Sequence, residues 1–183
     1  MQGRTDFQKY LNAATRIENF VVLPHGPVTR RPGTYFAAEV KTSTQKTRLI
    51  PFTFSTEQAY ILEFGNGYIR FYKDDGQIQS GSSAYEISSP YLEAQLFDIK
   101  FAQSADVMYL VHPSHPVKKL SRTGHTSWTL DTVSFSGSPS PGISGSNNRP
   151  STVTFFEQRL VFAGTNNNPQ TIWFSKAGDY ENF

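Results

Sequence analysis

Cysteine is absent from the 183 residues, which excludes disulfides and thiolate metal sites. That fits assembly in a reducing cytosol. No apolar run approaches the ~18–20 residues that span a bilayer as a helix. The opening residues, Met1 to Asp6, carry no apolar h-region, so neither a secretory signal nor membrane insertion is expected. Charge of one sign is lacking too. The 17 basic and 15 acidic residues leave +2, too even a balance to imply nucleic-acid binding from bulk charge. Helical periodicity is scarce. Only residues 6–17 predict a helix, with Phe7, Tyr10, Leu11, Ala14 and Ile17 at spacings of three and four behind Asp6 as N-cap. Reaction-bearing patterns are missing: no nucleophile elbow, no phosphate-cradling glycine loop, no His-Glu zinc helix.

Aromatic residues are abundant, with 15 Phe and 9 Tyr, and rings of this kind suit a pleated, half-buried surface. They sit in a pattern that occurs three times. Ile50-Pro51-Phe52-Thr53-Phe54 precedes Ala59-Tyr60-Ile61-Leu62-Glu63-Phe64. Phe97-Asp98-Ile99-Lys100-Phe101 precedes Val107-Met108-Tyr109-Leu110-Val111. Thr152-Val153-Thr154-Phe155 precedes Arg159-Leu160-Val161-Phe162-Ala163. The anchors Phe54, Phe101 and Phe155 lie 47 and 54 residues apart. A strand-built repeat of roughly 50 residues is the signature of propeller blades, each burying its apolar face against a neighbour.

The expected fold is therefore mainly β: a partial β-propeller-like array of antiparallel blades with a short N-terminal helix and an extended segment. Residues 1–47 would hold the helix and the extended, platform-like segment, and the repeats would occupy about 48–96, 97–150 and 151–183. Within 1–47, Phe20-Val21-Val22-Leu23 reads as extended, Pro27 to Thr34 as a turn or loop, and residues 35–40 as a strand. Asn66-Gly67 and Asp74-Asp75-Gly76 predict turns, as do His112-Pro113-Ser114-His115-Pro116 and Thr165 to Pro169. Residues 136–151, rich in Ser, Gly, Pro and Asn, predict a flexible connection that buries nothing. Such an array falls short of the ~4–8 blades that close a propeller. The expectation is a piece of something longer, or a subunit whose strand edges neighbours cover.

No catalytic residue, metal or cofactor is expected. His112 and His115 are three apart, but in a proline-flanked turn that spacing does not put them on one face. Asp74/Asp75 and Asp179/Glu181 read as solvated turn carboxylates. Ser121 to Trp128 has the Ser and Trp of a sialidase-type Asp-box but lacks its Asp, which would fall at Thr123. The basic clusters Arg30-Arg31, Lys41…Lys46…Arg48 and Lys118-Lys119…Arg122 could meet phosphates or an acidic partner. Arg30-Arg31-Pro32-Gly33 is the most suggestive, being rigid, basic and set between two extended segments.

Several segments in one order resemble a known family. They include Gly3-Arg4…Asp6…Tyr10, Glu18-Asn19-Phe20, Gly26…Arg30-Arg31-Pro32-Gly33-Thr34, and Arg48-Leu49-Ile50-Pro51-Phe52. Further on come Ala59 to Gly65, Ile69-Arg70-Phe71-Tyr72, Tyr85-Glu86-Ile87…Pro90-Tyr91, Ala102 to His112, and Gln158 to Gly164. The chain resembles, over nearly its whole length, the N-terminal part of the tail tubular protein B, or tail nozzle, family of short-tailed phages and prophages. The resemblance implies a virion structural protein, not an enzyme, assembled in the bacterial cytoplasm and located in the virion tail. It implies a hexameric ring that contacts an adaptor ring and tail fibres or spikes. Genomic DNA would pass through it without sequence specificity and be retained until infection. Under that reading Arg30, Arg31, Pro32 and Gly33 would serve subunit or adaptor contacts. Lys118, Lys119 and Arg122 would face the channel or a partner. The alternative is a host-surface receptor or glycan-binding module of a phage tail, which exposed loop aromatics would favour.

Overall fold

The computed structural model describes residue 14 and residues 16–55, 58–137 and 139–183. Two compact units are present, Met1–Phe36 and Ala37–Phe183. Most of the expected helix, residues 6–13 and 15, lies outside the described residues, and Ala14, Arg16 and Ile17 carry no helix. Among its described residues the first unit contains one hairpin, β1 (Phe20–Val22) paired with β2 (Val28–Arg30). Its loop closes with Gly26 at φ 101°, a backbone angle that glycine adopts without strain. Residues 35–40 form no strand. Their composition suits one, but a strand needs a partner edge and none pairs with them among the described residues.

The second unit is a series of antiparallel sheets. Sheet one runs β3 (Arg48–Thr53), β4 (Ala59–Gly65), β5 (Tyr68–Lys73) and β6 (Gly76–Gln77). A short ribbon, β7 (Gln79–Ser80) with β8 (Ser83–Ala84), follows, and β9 (Glu86–Ser88) returns to pair with β5. Pro51 sits in β3, the edge strand, where its missing N–H costs no ladder bond. Asp74 and Asp75 take φ of 51° and 61° in the β5–β6 turn, the mirror-image geometry that suits hairpin twist. A 3-10 helix, Glu93–Asp98, leads to sheet two: β10 (Lys100–Ser104), β11 (Val107–His112), β12 (His115–Gly124) and β13 (Ser127–Thr132). Sheet three is β14 (Thr152–Phe156), β15 (Arg159–Ala163) and β16 (Ile172–Phe174). The fold is thus mainly β, as expected.

Two hydrophobic clusters join the sheets. The first mixes Phe52, Leu62 and Phe71 of sheet one with Leu110, Leu120 and Trp128 of sheet two. The second mixes Tyr109, Val111 and Val117 of sheet two with Leu160, Phe162 and Trp173 of sheet three. Side chains alternate faces along a strand, so β11 sends Met108 and Leu110 into the first cluster and Tyr109 and Val111 into the second. Strand β11 is buried on both faces, which is why it reads as an unbroken apolar run.

Further expectations change: Val28–Arg30, expected within a turn or loop, is a strand paired with β1. Residues 37–47 belong with the second unit: Lys41 bonds Glu86 (2.5 Å) and caps the Tyr68 ring, and the Lys46 N–H donates to Glu93 (2.9 Å). Residues 136–151 are not free of the core. Ile143, their one branched aliphatic side chain, is buried in the second cluster, and the Pro141 carbonyl accepts from Trp173 Nε1 (2.8 Å). The expected turn 112–116 shrinks to Pro113-Ser114, with His115 and Pro116 already in β12. Pairing of β12 with β13 begins only at Lys118, so Pro116 interrupts no ladder bond on that side.

Candidate functional site

Arg30 ends β2 and Arg31 follows it, its N–H donating to the Asn19 carbonyl (3.1 Å). Arg30 to Gly33 are exposed, and among the described residues neither arginine is ion-paired. Gly33 has no positive φ, and a Cβ there would meet nothing within 4 Å, so its backbone freedom is not what the site needs.

The Lys118-Lys119…Arg122 cluster is committed inside the molecule. Lys118 Nζ donates to Thr132 Oγ1 (2.8 Å), Lys119 pairs with Glu181 (2.5 Å) and Arg122 with Asp106 (2.9 Å). Arg122 also donates to the Tyr60 hydroxyl (3.2 Å) and lies 4.2 Å from the Phe54 ring centroid. It therefore bridges sheets one and two, and does not stand in a free row of cations. Arg122→Ala is expected to lower unfolding free energy by about 1–3 kcal/mol, because it orphans Asp106 and uncovers two rings. Urea unfolding followed by circular dichroism checks this.

Contrary to the expectation from their spacing, His112 and His115 share a face as a cross-strand pair at the β11–β12 turn, ring centroids 5.2 Å apart. The Ser114 N–H donates to His112 Nδ1 (3.0 Å), and His115 Nε2 bonds Gln95 Oε1 (2.8 Å). Burial pushes both imidazole pKa values down. Asp98 opposes this at His112, whereas His112, Arg149 and Lys118 reinforce it at His115. The unfolded chain, with its higher imidazole pKa, binds protons first as pH falls. The pair's contribution to stability is therefore whole above the ordinary imidazole pKa and is lost as pH drops through it. The urea midpoint is expected to fall between about pH 8 and about pH 5, and a His112→Asn/His115→Gln variant to lose that slope.

Tyr91 packs against both histidine rings, and its buried hydroxyl has no partner among the described residues. Tyr91→Phe is expected to raise stability by about 1 kcal/mol in the same assay, since it removes an unpaid desolvation cost.

A groove of about 650 Å³ lies over the outer face of sheet one, lined by Val40, Leu49, Ile61, Glu63, Tyr72 and Asp75 among others. Glu63 is its buried polar group, accepting from the Tyr68 hydroxyl (2.6 Å) and from Tyr72. Burial and the Glu63 charge push both tyrosine pKa values up, that of Tyr72 to about 12. The sequence signal for this site is a lone carboxylate inside the apolar run of β4. Asp74 pairs with Lys73 (3.0 Å), while Glu181 accepts from Lys119 and from the Tyr109 hydroxyl (3.0 Å). In the segment 121–128, Trp128 is a core residue of the first cluster.

Among the described residues no helix is long and apolar enough to cross a membrane. No family model matches the chain, and no curated protein matches it.

Proposed function

We propose that this chain is a non-catalytic structural subunit of a phage tail, part of the nozzle that conducts DNA out of the head, with its sheets acting as blades of a propeller-like array. The observation that carries the reading is the middle sheet, whose β11 feeds both hydrophobic clusters. Modules of this kind are stable only against neighbours, which suits a component of a larger assembly. The charged groups between the strands, Lys119–Glu181 and Arg122–Asp106, brace the stack. The sequence resemblance supplies the tail identity. It also supplies the partners: copies of itself in a hexameric ring, the adaptor ring, and fibres or spikes. DNA would pass without sequence readout. The exposed Arg30-Arg31 pair is the contact we assign to a neighbouring subunit or the adaptor.

The test is genetic. Deleting the gene from the phage or prophage that carries it is expected to give heads that lose their DNA, and an Arg30→Glu/Arg31→Glu variant to be poorly incorporated. Infective particles that retain DNA without the chain would overturn the proposal. The groove over sheet one favours a second reading, recognition of a host-surface glycan, because a concave site with apolar walls and few polar groups is the usual shape of a ligand site. A glycan array with purified protein distinguishes the two.

A further inference from the structure

Hydrogen bonds fix the protons on the two histidines of the β11–β12 turn. The Ser114 N–H donates to His112 Nδ1 (3.0 Å), so that nitrogen must keep a bare lone pair. Gln95 Oε1 can only accept. It takes the Leu92 N–H (3.1 Å) and His115 Nε2 (2.8 Å), which places a proton on His115 Nε2. His115 can gain a second proton on Nδ1 and keep its bond to Gln95. His112 can gain one only by giving up the Ser114 N–H. The same turn holds a further element, because Arg149 Nη1 donates to the Ser114 carbonyl. Among the described residues this is the hydrogen bond that ties residues 145–151 to sheet two. The segment's other partners lie further along the chain. The Ser151 N–H donates to the Ala163 and Gly164 carbonyls (3.2 and 3.0 Å), and Asn167 donates to the Asn147 carbonyl (3.1 Å) and Asn148 Oδ1 (2.9 Å).

We propose that this turn is an acid-released latch. When His112 takes its second proton it drops the Ser114 N–H, the Pro113-Ser114 turn rearranges, and the Ser114 carbonyl is lost to Arg149. The segment around Arg149 then comes away from sheet two while both cores stay folded. The charges around the pair favour release. Burial, then His112, Arg149 and Lys118, hold the His115 pKa below the ordinary imidazole value. At His112 burial does so against Asp98, and Lys100 lines the same hollow as these two. Tyr91, packed against both rings, is kept neutral by its burial. A charged pair would thus stand beside Arg149, Lys118 and Lys100, with Asp98 as the carboxylate that offsets them. Freed imidazoles regain the ordinary proton affinity. The open form therefore binds more protons, and it gains on the closed form as pH falls through about 6.5. Ile143 stays in the second cluster, so the opening is local, of the kind that precedes global unfolding.

Nuclear magnetic resonance on the full chain tests it. At about pH 8 the His112 ring is expected to show a bare Nδ1 and a protonated Nε2. Toward about pH 5 the amides of Ser114 and residues 145–149 are expected to shift, with order parameters falling below about 0.6. The indole signals of Trp128 and Trp173, one in each core, are expected to hold their positions. In a His112→Asn/His115→Gln variant the Asn side chain accepts the Ser114 N–H as an Asx turn does, and nothing titrates. That variant is expected to stay closed at both pH values. Arg149→Ala leaves the histidines untouched and is expected to show the loosened segment already at about pH 8. Circular dichroism verifies each fold, and His112→Asn alone replaces the double variant if that unfolds. Four results would each overturn the latch: a segment unchanged at the acid end, loosening that persists without the histidines, indole signals lost in step with it, or an Arg149→Ala segment as ordered as wild type.

Discussion

Trp128→Ala is expected to lower the unfolding free energy by about 3–5 kcal/mol, read from urea unfolding followed by circular dichroism. The indole belongs to β13 of sheet two but packs into sheet one. Its ring stacks on Phe71 at 4.5 Å and meets Phe52 and Tyr60 edge-on at 4.9 and 5.3 Å. One indole thus touches β3, β4 and β5 at once. Its Nε1 donates to the His125 carbonyl (3.1 Å), and its backbone N–H donates to the Tyr85 hydroxyl (3.1 Å). Truncation removes the ring contacts, leaves a cavity among aromatic rings that cannot collapse onto it, and strips the His125 carbonyl of its donor. Domains are stable by only about 5–15 kcal/mol, so this one joint carries a large share. Trp128→Phe keeps part of the stacking and is expected to lose less. A loss below about 1 kcal/mol for the alanine variant would mean that other contacts hold sheets one and two together.

The same joint shows which parts of the fold the sequence displays. Alternation in Ile50-Pro51-Phe52 and in Thr152 to Phe156 marks strands buried on one face, and those strands are present. The apolar run of β11 loses alternation because both its faces are covered, so a strand is legible there but not its place between two cores. Residues 35–40 show the limit of composition: aromatic and β-branched side chains make a strand only where an edge accepts them. Ile143 shows another, since a single apolar side chain in a Ser/Gly/Pro stretch suffices to pin that stretch to the core. At the candidate sites the Arg30-Arg31 pair is visible in the sequence as a basic dipeptide, but that Arg30 ends a strand paired with β1 is not. The fates of Lys119 and Arg122 were not readable, because Glu181 lies far along the chain from Lys119 and Arg122 meets Asp106 only after β11 and β12 pair. Glu63 was not singled out from the sequence although it is a charge in an apolar strand; its two tyrosine donors come from the next strand, and hairpin register decides that they reach it.

Phe162→Ala, in the second cluster, is expected to cost a similar ~3–5 kcal/mol and to separate the unfolding of the two cores. Phe162 is fully buried, stacked on Phe183 at 5.3 Å and edge-on to Phe135 at 5.7 Å, with Val153 and Trp173 opposite it on the neighbouring strands. None of these residues belongs to the first cluster. Where modules touch only their neighbours, stability is approximately a sum of local terms, and damage between sheets two and three need not loosen sheet one. The chain provides a reporter for each side. Its two tryptophans are Trp128 in the first cluster and Trp173 in the second. In Trp128→Phe and Trp173→Phe backgrounds, each remaining indole reports on one core. With Phe162→Ala added, the Trp173 emission transition is expected at lower urea than the Trp128 transition. If both move together by the same amount, the sheets unfold as one cooperative unit and the neighbour-by-neighbour account of the stack is wrong.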